Sequence, residues 1–403
     1  MRRRHVLATA GAILTAPFVG HAQSRDVLKI VPEGDLPILD PVFTTATVVR
    51  NHGYMVWDTL YGMDAEYQMQ LQMLAGQNRR SRRACAHPNM LTSDHEMLEG
   101  VMPSYDFVTV DVFTSERFGG NPLAVLPNAH GLSAGDMQSI AAEFNLSETA
   151  FVLPPDNPQN HARVRIFTPA CELPFAGHPN VGTGFVLARA DPNPPEHYTF
   201  EEIAGLVRVH ILRDDRKSIS GARISAPHSL TITTAIPTDA VAACVGLTEN
   251  DFLTNAHTPL VASVGTKFVI AEVASLEALA RAQPDIAAFR AVAARFPGME
   301  LRFALHLYVR KDGDATKLRT RMFAPLGGVQ EDPATGSANA ALSALLVSLA
   351  PGEDVALHFE IEQGVEMGRP SLLIGGARKT AEGAVLATVA GSCVPVMRGT
   401  LEV

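Results

Sequence analysis

The sequence predicts an α+β fold in which largely antiparallel sheet wraps around a few buried helices. Three observations carry this expectation. Apolar runs recur at hairpin spacing, so that strands outnumber helices. A long helix rich in small residues is predicted over 337–349. A strand–loop–helix unit is also used twice, as RIFTPACELPFAGHPNVG (165–182) and RMFAPLGGVQEDPATGSANAA (321–341).

In chain order, order begins near Met102. Tyr105–Phe113 reads as a strand, and Leu123–Leu126 as another after the turn FGGNP. Ser133 is placed to cap a helix, with Asp136 three residues on in capping-box form. Met137, Ile140, Ala141 and Phe144 give that helix one apolar face. Ala150–Leu153 and Arg163–Phe167 read as strands, and Pro179 takes the first position of a helix. Further strands are expected at Val207–Leu212, Lys267–Val273, Leu301–Val309, Leu318–Phe323, Val355–Glu360 and Ala384–Ala390.

The repeat sharpens the architecture. With three extra loop residues in the second copy, Glu172 aligns with Glu331, Leu173 with Asp332 and Pro174 with Pro333. Gly177 then aligns with Gly336, His178 with Ser337 and Asn180 with Asn339. Two similar lobes are expected, 102–215 and 216–385, with 386–403 completing the first. Each lobe points a helix N-terminus into the cleft between them.

Helix N-termini carry unpaired N–H groups and partial positive charge, so two of them across a cleft suit a small anionic substrate, most simply a carboxylate. Gly177 and Gly336 admit close approach of backbone to ligand, with Pro179, Asn180 and Thr335 beside them as binding residues. Aligning SETAFV (147–152) with VGTKFV (264–269) sets Glu148 opposite Gly265, so one lobe keeps an acid that the other lacks. Beside an apolar strand Glu148 is partly desolvated, which raises its pKa towards the working range of an acid/base. The residues leave open the alternative that Glu148 caps backbone or pairs with an arginine. His178 reads as a loop histidine with a modest catalytic case. Asp332 reads as a helix cap, since Asp-Pro is common at helix starts. Ser337 reads as a hydrogen-bond donor, since no G-x-S-x-G surrounds it.

The bulk numbers narrow the classes. The chain of 403 residues is 46% hydrophobic, 19% charged and carries a net charge of −9. A nucleic-acid partner is disfavoured by that charge and by the lack of a long basic stripe. Cys85, Cys171, Cys244 and Cys393 match neither a disulfide framework nor a zinc site, which suits a reducing compartment. Residues 1–23 have the form of an export signal, with arginines, an apolar run and small residues, which predicts the periplasm if the signal is used. That run is too short for a membrane span. Residues 24–76 resemble the start of periplasmic solute-binding proteins of the oligopeptide class, on LDPV and NHGYMVWDTLYGMD. Residues 77–101 show no periodicity and read as a linker or a frame-shifted stretch.

Within 102–403, DVFTSERFGGNPLAVL, NLSETAFV, ELPFAGHPNVGTG and EDPATGSANAAL resemble the phenazine-biosynthesis PhzF-like isomerases. The resemblance implies a diaminopimelate-epimerase-like fold: two pseudo-symmetric lobes, each a barrel-like sheet around a central helix. It also implies a homodimer, a cytoplasmic enzyme, and chemistry without metal or organic cofactor. The family's namesake moves a proton between ring carbons of trans-2,3-dihydro-3-hydroxyanthranilate, which is the default substrate here. Its catalytic residues fall on Glu148, His178, Asp332 and Ser337. In the related epimerases two cysteines stand where this chain has Ala176 and Thr335, which argues against two-thiol racemisation. Asn180, at a threonine position of many relatives, is expected to have a minor effect on helix packing. A solute-binding protein and an amino-acid epimerase are the alternative functions.

Overall fold

The computed structural model describes residues 61–63, 69–71, 103–296, 303–311 and 313–403. The chain divides into two compact units, Met1–Leu98 and Glu99–Val403. In the first, Tyr61–Met63 pairs antiparallel with Met69–Leu71. The export-signal form, the rest of the solute-binding-like stretch, the patternless 77–101 and Met102 lie outside the described residues.

In the second unit, strands β1 (Ser104–Val112) and β2 (Asn121–Leu126) are followed by helix α1 (Ala134–Phe144), then β3 (Glu148–Leu153), β4 (Ala162–Phe167) and β5 (Glu172–Leu173). Helix α2 (Gly177–Ala190) leads to β6 (His197–Glu202), β7 (Gly205–Arg213) and β8 (Ile219–Ser225). The capping box forms: Ser133 accepts from Asp136 N–H, and the Asp136 carboxylate accepts from Ser133 N–H. Met137, Ile140 and Ala141 are buried beneath it.

The second lobe repeats the plan. It runs β9 (Thr231–Ala235), α3 (Thr238–Cys244), β10 (Phe252–Leu253), β11 (Leu260–Ser263) and β12 (Lys267–Val273). Then come α4 (Leu276–Arg281), α5 (Ile286–Ala293), β13 (Leu305–Arg310), β14 (Lys317–Ala324) and β15 (Val329–Asp332). Helix α6 (Gly336–Leu349), β16 (Ala356–Gln363), β17 (Ser371–Lys379) and β18 (Val385–Glu402) complete it.

The sheet of the first lobe closes as β18–β1–β2–β3–β4–β6–β7–β8 and back to β18. Helix α2 fills that ring; Val181, Phe185 and Ala188 are buried among Val110, Val125, Ala150, Phe200 and Val209. In the second lobe β11–β12–β13–β14–β16–β17–β18 curls around α6. The amides of Ala226 and Leu230 donate to Ala387 and Val385 and tie its other edge to β18. Strand β18 serves both lobes: Val385–Ala390 pairs with β17, and Cys393–Glu402 with β1. Both central helices are buried nearly all round.

Pairing corrects one sequence alignment. Strand β3 lies parallel to β2 and antiparallel to β4, whereas in the second lobe the strand parallel to β12 and antiparallel to β14 is β13. Thr149 faces Phe167 as Leu305 faces Phe323, so the counterpart of Glu148 is Ala304. Gly265 instead matches Gly120, four residues before Val269 and Ala124 in equivalent pairs; both glycines have positive φ. The Glu148 position still carries an acid in one lobe alone, with Ala304 and not Gly265 as its counterpart. The short or broken strands β5, β6, β8 to β11, β15 and β17 escaped the sequence pattern, as did α3 to α5. Strand β9 is exposed throughout and has no buried face to alternate, and β17 carries Gly375 and Gly376 at its centre.

Candidate active site

The site is assembled at the junction of the two central helices. Gly177 and Gly336 are the first residues of α2 and α6. A Cβ on Gly177 would stand 3.1 Å from the Ser337 amide nitrogen, and one on Gly336 would stand 3.4 Å from Gly177 Cα. The helix ends therefore abut through glycine backbone, an approach that a Cβ at either position would crowd. Neither N-cap residue, Ala176 or Thr335, caps its helix through its side chain.

Asn121 is the hub. A clamp from the second lobe delivers it: Arg369 donates to the carbonyls of Gly119 (2.8 Å) and Gly120 (2.9 Å) and to buried Asp111 (2.7 Å). Asp111 in turn accepts from Phe118 N–H at 2.6 Å. The turn so fixed presents the Asn121 amide to Asp332 Oδ1 at 2.9 Å and to the Ala334 carbonyl at 3.0 Å. The same nitrogen lies 3.3 Å from His178 Nδ1. The two Asn121 N–H groups serve three acceptors, of which His178 Nδ1 is the most distant, and this approach favours the ring tautomer with hydrogen on Nε2. That Nε2 lies 3.4 Å from Glu148 Oε2.

Burial pushes Glu148 up to about 8, and the negative Asp332 nearby adds to the rise. Burial alone drives His178 down to about 3, so its ring is neutral. Asp332 is also raised by burial, but hydrogen bonds from Thr335, Asn121 and Ser147 pull the other way. Donors to a carboxylate favour its charged form. Asp332 has three such donors, whereas His178 Nε2, 3.4 Å from Glu148 Oε2, is not in hydrogen-bond geometry with it. The charge of the pair therefore rests on Asp332 and the proton on Glu148.

The structure thus joins Glu148, His178, Asp332 and Thr335 through Asn121. His178 is not a loop residue: it lies in the first turn of α2 and is 4% exposed. Pro179 is the third helical residue and not the first, still within the turn whose N–H groups have no intrahelical partner. Asp332 does not cap α6; it ends β15 and accepts from the Thr335 hydroxyl. Ser337 and both glycines line a narrow cleft with Phe175, Val264 and Thr266. Asn180 is fully buried in the first turn of α2, its amide donating to the Ala176 carbonyl at 2.9 Å, as Asn339 donates to the Thr335 carbonyl at 3.0 Å. Its role is therefore to brace the helix start. The arginine–glutamate pairs of the repeat recur as well, Arg165–Glu172 at 2.6 Å and Arg321–Glu331 at 2.7 Å.

Sequence reasoning passed over Asn121, Arg369 and Gln363. Gln363 receives the Thr335 N–H and the Asn339 amide, and donates to the Asp332 carbonyl and the Thr335 hydroxyl. Asn121 had a signal, since it stands in the GGNP turn, but a turn reading accounts for that motif. Among the described residues no cluster of three or more ligating side chains is arranged to hold a metal ion, and no helix is long and apolar enough to cross a membrane.

Comparison with known proteins places this geometry. The family described as phenazine biosynthesis-like protein (PhzC-PhzF) matches residues 110–399. An uncharacterized isomerase of Mesorhizobium japonicum is 39% identical over 308 residues, covering 74% of this chain and 99% of that protein. The trans-2,3-dihydro-3-hydroxyanthranilate isomerase of Pseudomonas chlororaphis is 36% identical over 298 residues, covering 74% and 99%. The crystal structure of the Bacillus anthracis phenazine biosynthesis protein of the PhzF family aligns with a TM-score of 0.67 at 25% identity, covering 75% of this chain and all of that one.

Proposed function

The chain belongs to the phenazine biosynthesis-like (PhzC-PhzF) family of isomerases, and on that premise we propose that Glu148 moves one proton between two carbons of a small carboxylate. The observation that carries this reading is a buried carboxyl, matched by Ala304 in the other lobe, 3.4 Å from a neutral imidazole. In its ionised form Glu148 takes a proton from a substrate carbon, and the resulting acid returns it to another carbon on the same face. His178 presents Nε2–H to the carboxylate or to a substrate oxygen; Asp332 keeps its charge on hydrogen bonds throughout. The substrate carboxylate is held by the uncapped first-turn N–H groups of α2 and α6, and Ser337 adds a hydroxyl donor.

The first compound to test is trans-2,3-dihydro-3-hydroxyanthranilate, on which three of the curated relatives act by name, at 34–36% identity. In deuterium oxide the enzyme should place solvent deuterium in product, and Glu148→Gln should abolish it while the fold is kept. Full exchange by the variant would remove Glu148 from the mechanism. Thiol racemisation has no support here, because Ala176 and Thr335 occupy the helix N-caps and Cys171 is exposed in a loop.

The same reading includes a cytoplasmic location and a homodimer. Free thiols at Cys171, Cys244 and Cys393 support the first. Exposed Leu372, Ile374 and Leu386 on adjoining strands support the second. Cell fractionation and sedimentation velocity test them.

A further inference from the structure

The repeat exposes an unassigned carboxyl at the base of the first lobe. Arg163 pairs with Glu201 in β6 as Arg319 pairs with Glu362 in β16, so Glu202 is the counterpart of Gln363. Gln363 bolts the second lobe together. Its carbonyl oxygen receives the N-cap amide of α6 and the Asn339 side chain, and its amide nitrogen donates to the Asp332 carbonyl at the end of β15. Asn180, counterpart of Asn339, lies beside Glu202. Yet both Glu202 oxygens and Asn180 Oδ1 are buried with no partner in hydrogen-bond geometry. A buried carboxylate in that position would be costly, whereas a carboxylic acid has the shape of a primary amide with one donor and one acceptor.

We propose that Glu202, as the neutral acid, does for the first lobe what the Gln363 amide does for the second. By analogy with Gln363, the partners open to it are the Leu173 carbonyl at the end of β5 for its hydroxyl, and the Ala176 N–H and the Asn180 amide for its carbonyl oxygen. It thereby sets the first turn of α2, two residues from whose N-cap His178 projects. Glu202 is a positioning residue: it touches no reacting atom. Burial pushes it up to about 8, in keeping with the neutral form. The groups around it are not cationic. Asn180 faces it from α2, Gly205 pairs with it from β7, and Ala204 and Pro174 meet at the adjoining loop. On β4 the inward residues are Val164 and Ile166. Glu201, next in sequence, is turned outward and engaged by Asp156 N–H, Asn157 N–H and Asn160.

The proposal rests on the isomerase reading for its kinetic arm and is independent of it for its thermal arm. Glu202→Gln supplies the amide outright. Its melting temperature should gain on that of the unaltered protein as pH rises from about 4.5 to about 8, by several degrees in all, because over that range the unfolded acid ionises while the folded one holds its proton, a cost the amide does not carry. Deuterium exchange on trans-2,3-dihydro-3-hydroxyanthranilate should stay within about twofold in Glu202→Gln and fall about tenfold or more in Glu202→Ala, in kcat rather than KM. Equal, parallel melting curves for Glu202→Gln and the unaltered protein would overturn the proposal with no substrate needed. So would an exchange rate in Glu202→Gln as low as in Glu202→Ala, which would mean that an ionised carboxyl is required. Absence of exchange in the unaltered protein, with the thermal result as expected, would tell against the substrate and leave Glu202 in place.

Discussion

If Glu148 is the base, kcat/KM must follow its ionised fraction in the free enzyme. With the carboxyl pushed up to about 8, that fraction is about 1% at pH 6, about 9% at pH 7 and about 50% at pH 8. The expected profile therefore climbs about tenfold from pH 6 to 7 and about fivefold from pH 7 to 8, then levels off. His178, held near 3 by burial, contributes no limb in this range. Asp332→Asn removes the neighbouring charge, the second cause of the rise, so the midpoint should move to lower pH. Initial rates of deuterium wash-in at constant ionic strength measure both. Glu148→Gln should lose about 100-fold or more. The linkage has a definite sign: the folded carboxyl holds its proton more tightly than the unfolded one, whose ordinary value is 4.5. The stability it adds is fully present below about pH 4.5 and is lost as pH rises through about 8. By pH 7 the loss is at most about 3 kcal/mol, and Glu148→Gln escapes it. Its melting temperature should thus gain on the unaltered protein between pH 5 and 8 while its activity is gone. A flat rate profile from pH 6 to 8, or an unmoved midpoint in Asp332→Asn, would refute the assignment.

Other perturbations probe the scaffold. Arg369→Ala frees the Gly119–Gly120 turn and unseats Asn121, so kcat should fall about 10- to 100-fold with a small change in KM, read from steady-state rates. Gly177→Ala forces a methyl to 3.1 Å from the Ser337 nitrogen, so the helix ends must part by a few tenths of an ångström; activity should drop more than melting temperature. Arg321 donates to Glu331 and to the carbonyls of Leu279 and Ala282, whereas Arg165 pairs with Glu172 alone in a wetter setting. Arg321→Ala should cost about 3 kcal/mol and Arg165→Ala about 1 kcal/mol or less by urea denaturation.

The repeat was legible because its residues perform the same task twice. Arg165 and Arg321 each clamp a glutamate, and Asn180 and Asn339 each brace a helix start, so chemistry preserved the pattern. The strand bearing Glu148 was misaligned because its identity lies in its neighbours. SETAFV and VGTKFV share a threonine and a Phe-Val pair, but the structural partner of Thr149 is Leu305, which shares neither. Sequence spacing held the correct answer: Thr149 and Arg165 are 16 residues apart, as are Leu305 and Arg321. Helices α4 and α5 fill the second crossover, where α1 alone fills the first, and push the true counterpart away from the similar letters. Asn121 and Gln363 were hidden for another reason. Their work is done across 211 and 31 residues, and no local period records a contact of that span.

The lobes have divided the labour that one plan once offered to both. On the proposed mechanism the first supplies the proton carrier, Glu148, and its imidazole neighbour. The second has Ala304 and Ser337 at those positions and supplies instead the charge, Asp332, where the first has Leu173. Activity therefore needs one lobe of each kind, and restoring an acid at the mirrored place should not restore function. In Glu148→Gln/Ala304→Glu the new carboxyl enters a site 7% exposed, without His178 or the Asn121 amide beside it. It should cost about 2–4 kcal/mol in stability, as an unpaired buried polar group does, and leave deuterium exchange at the level of Glu148→Gln. Recovery of exchange in that double variant would mean that the two helix ends present the substrate alike to both lobes, and that the asymmetry of the site lies in the single acid and not in the residues around it.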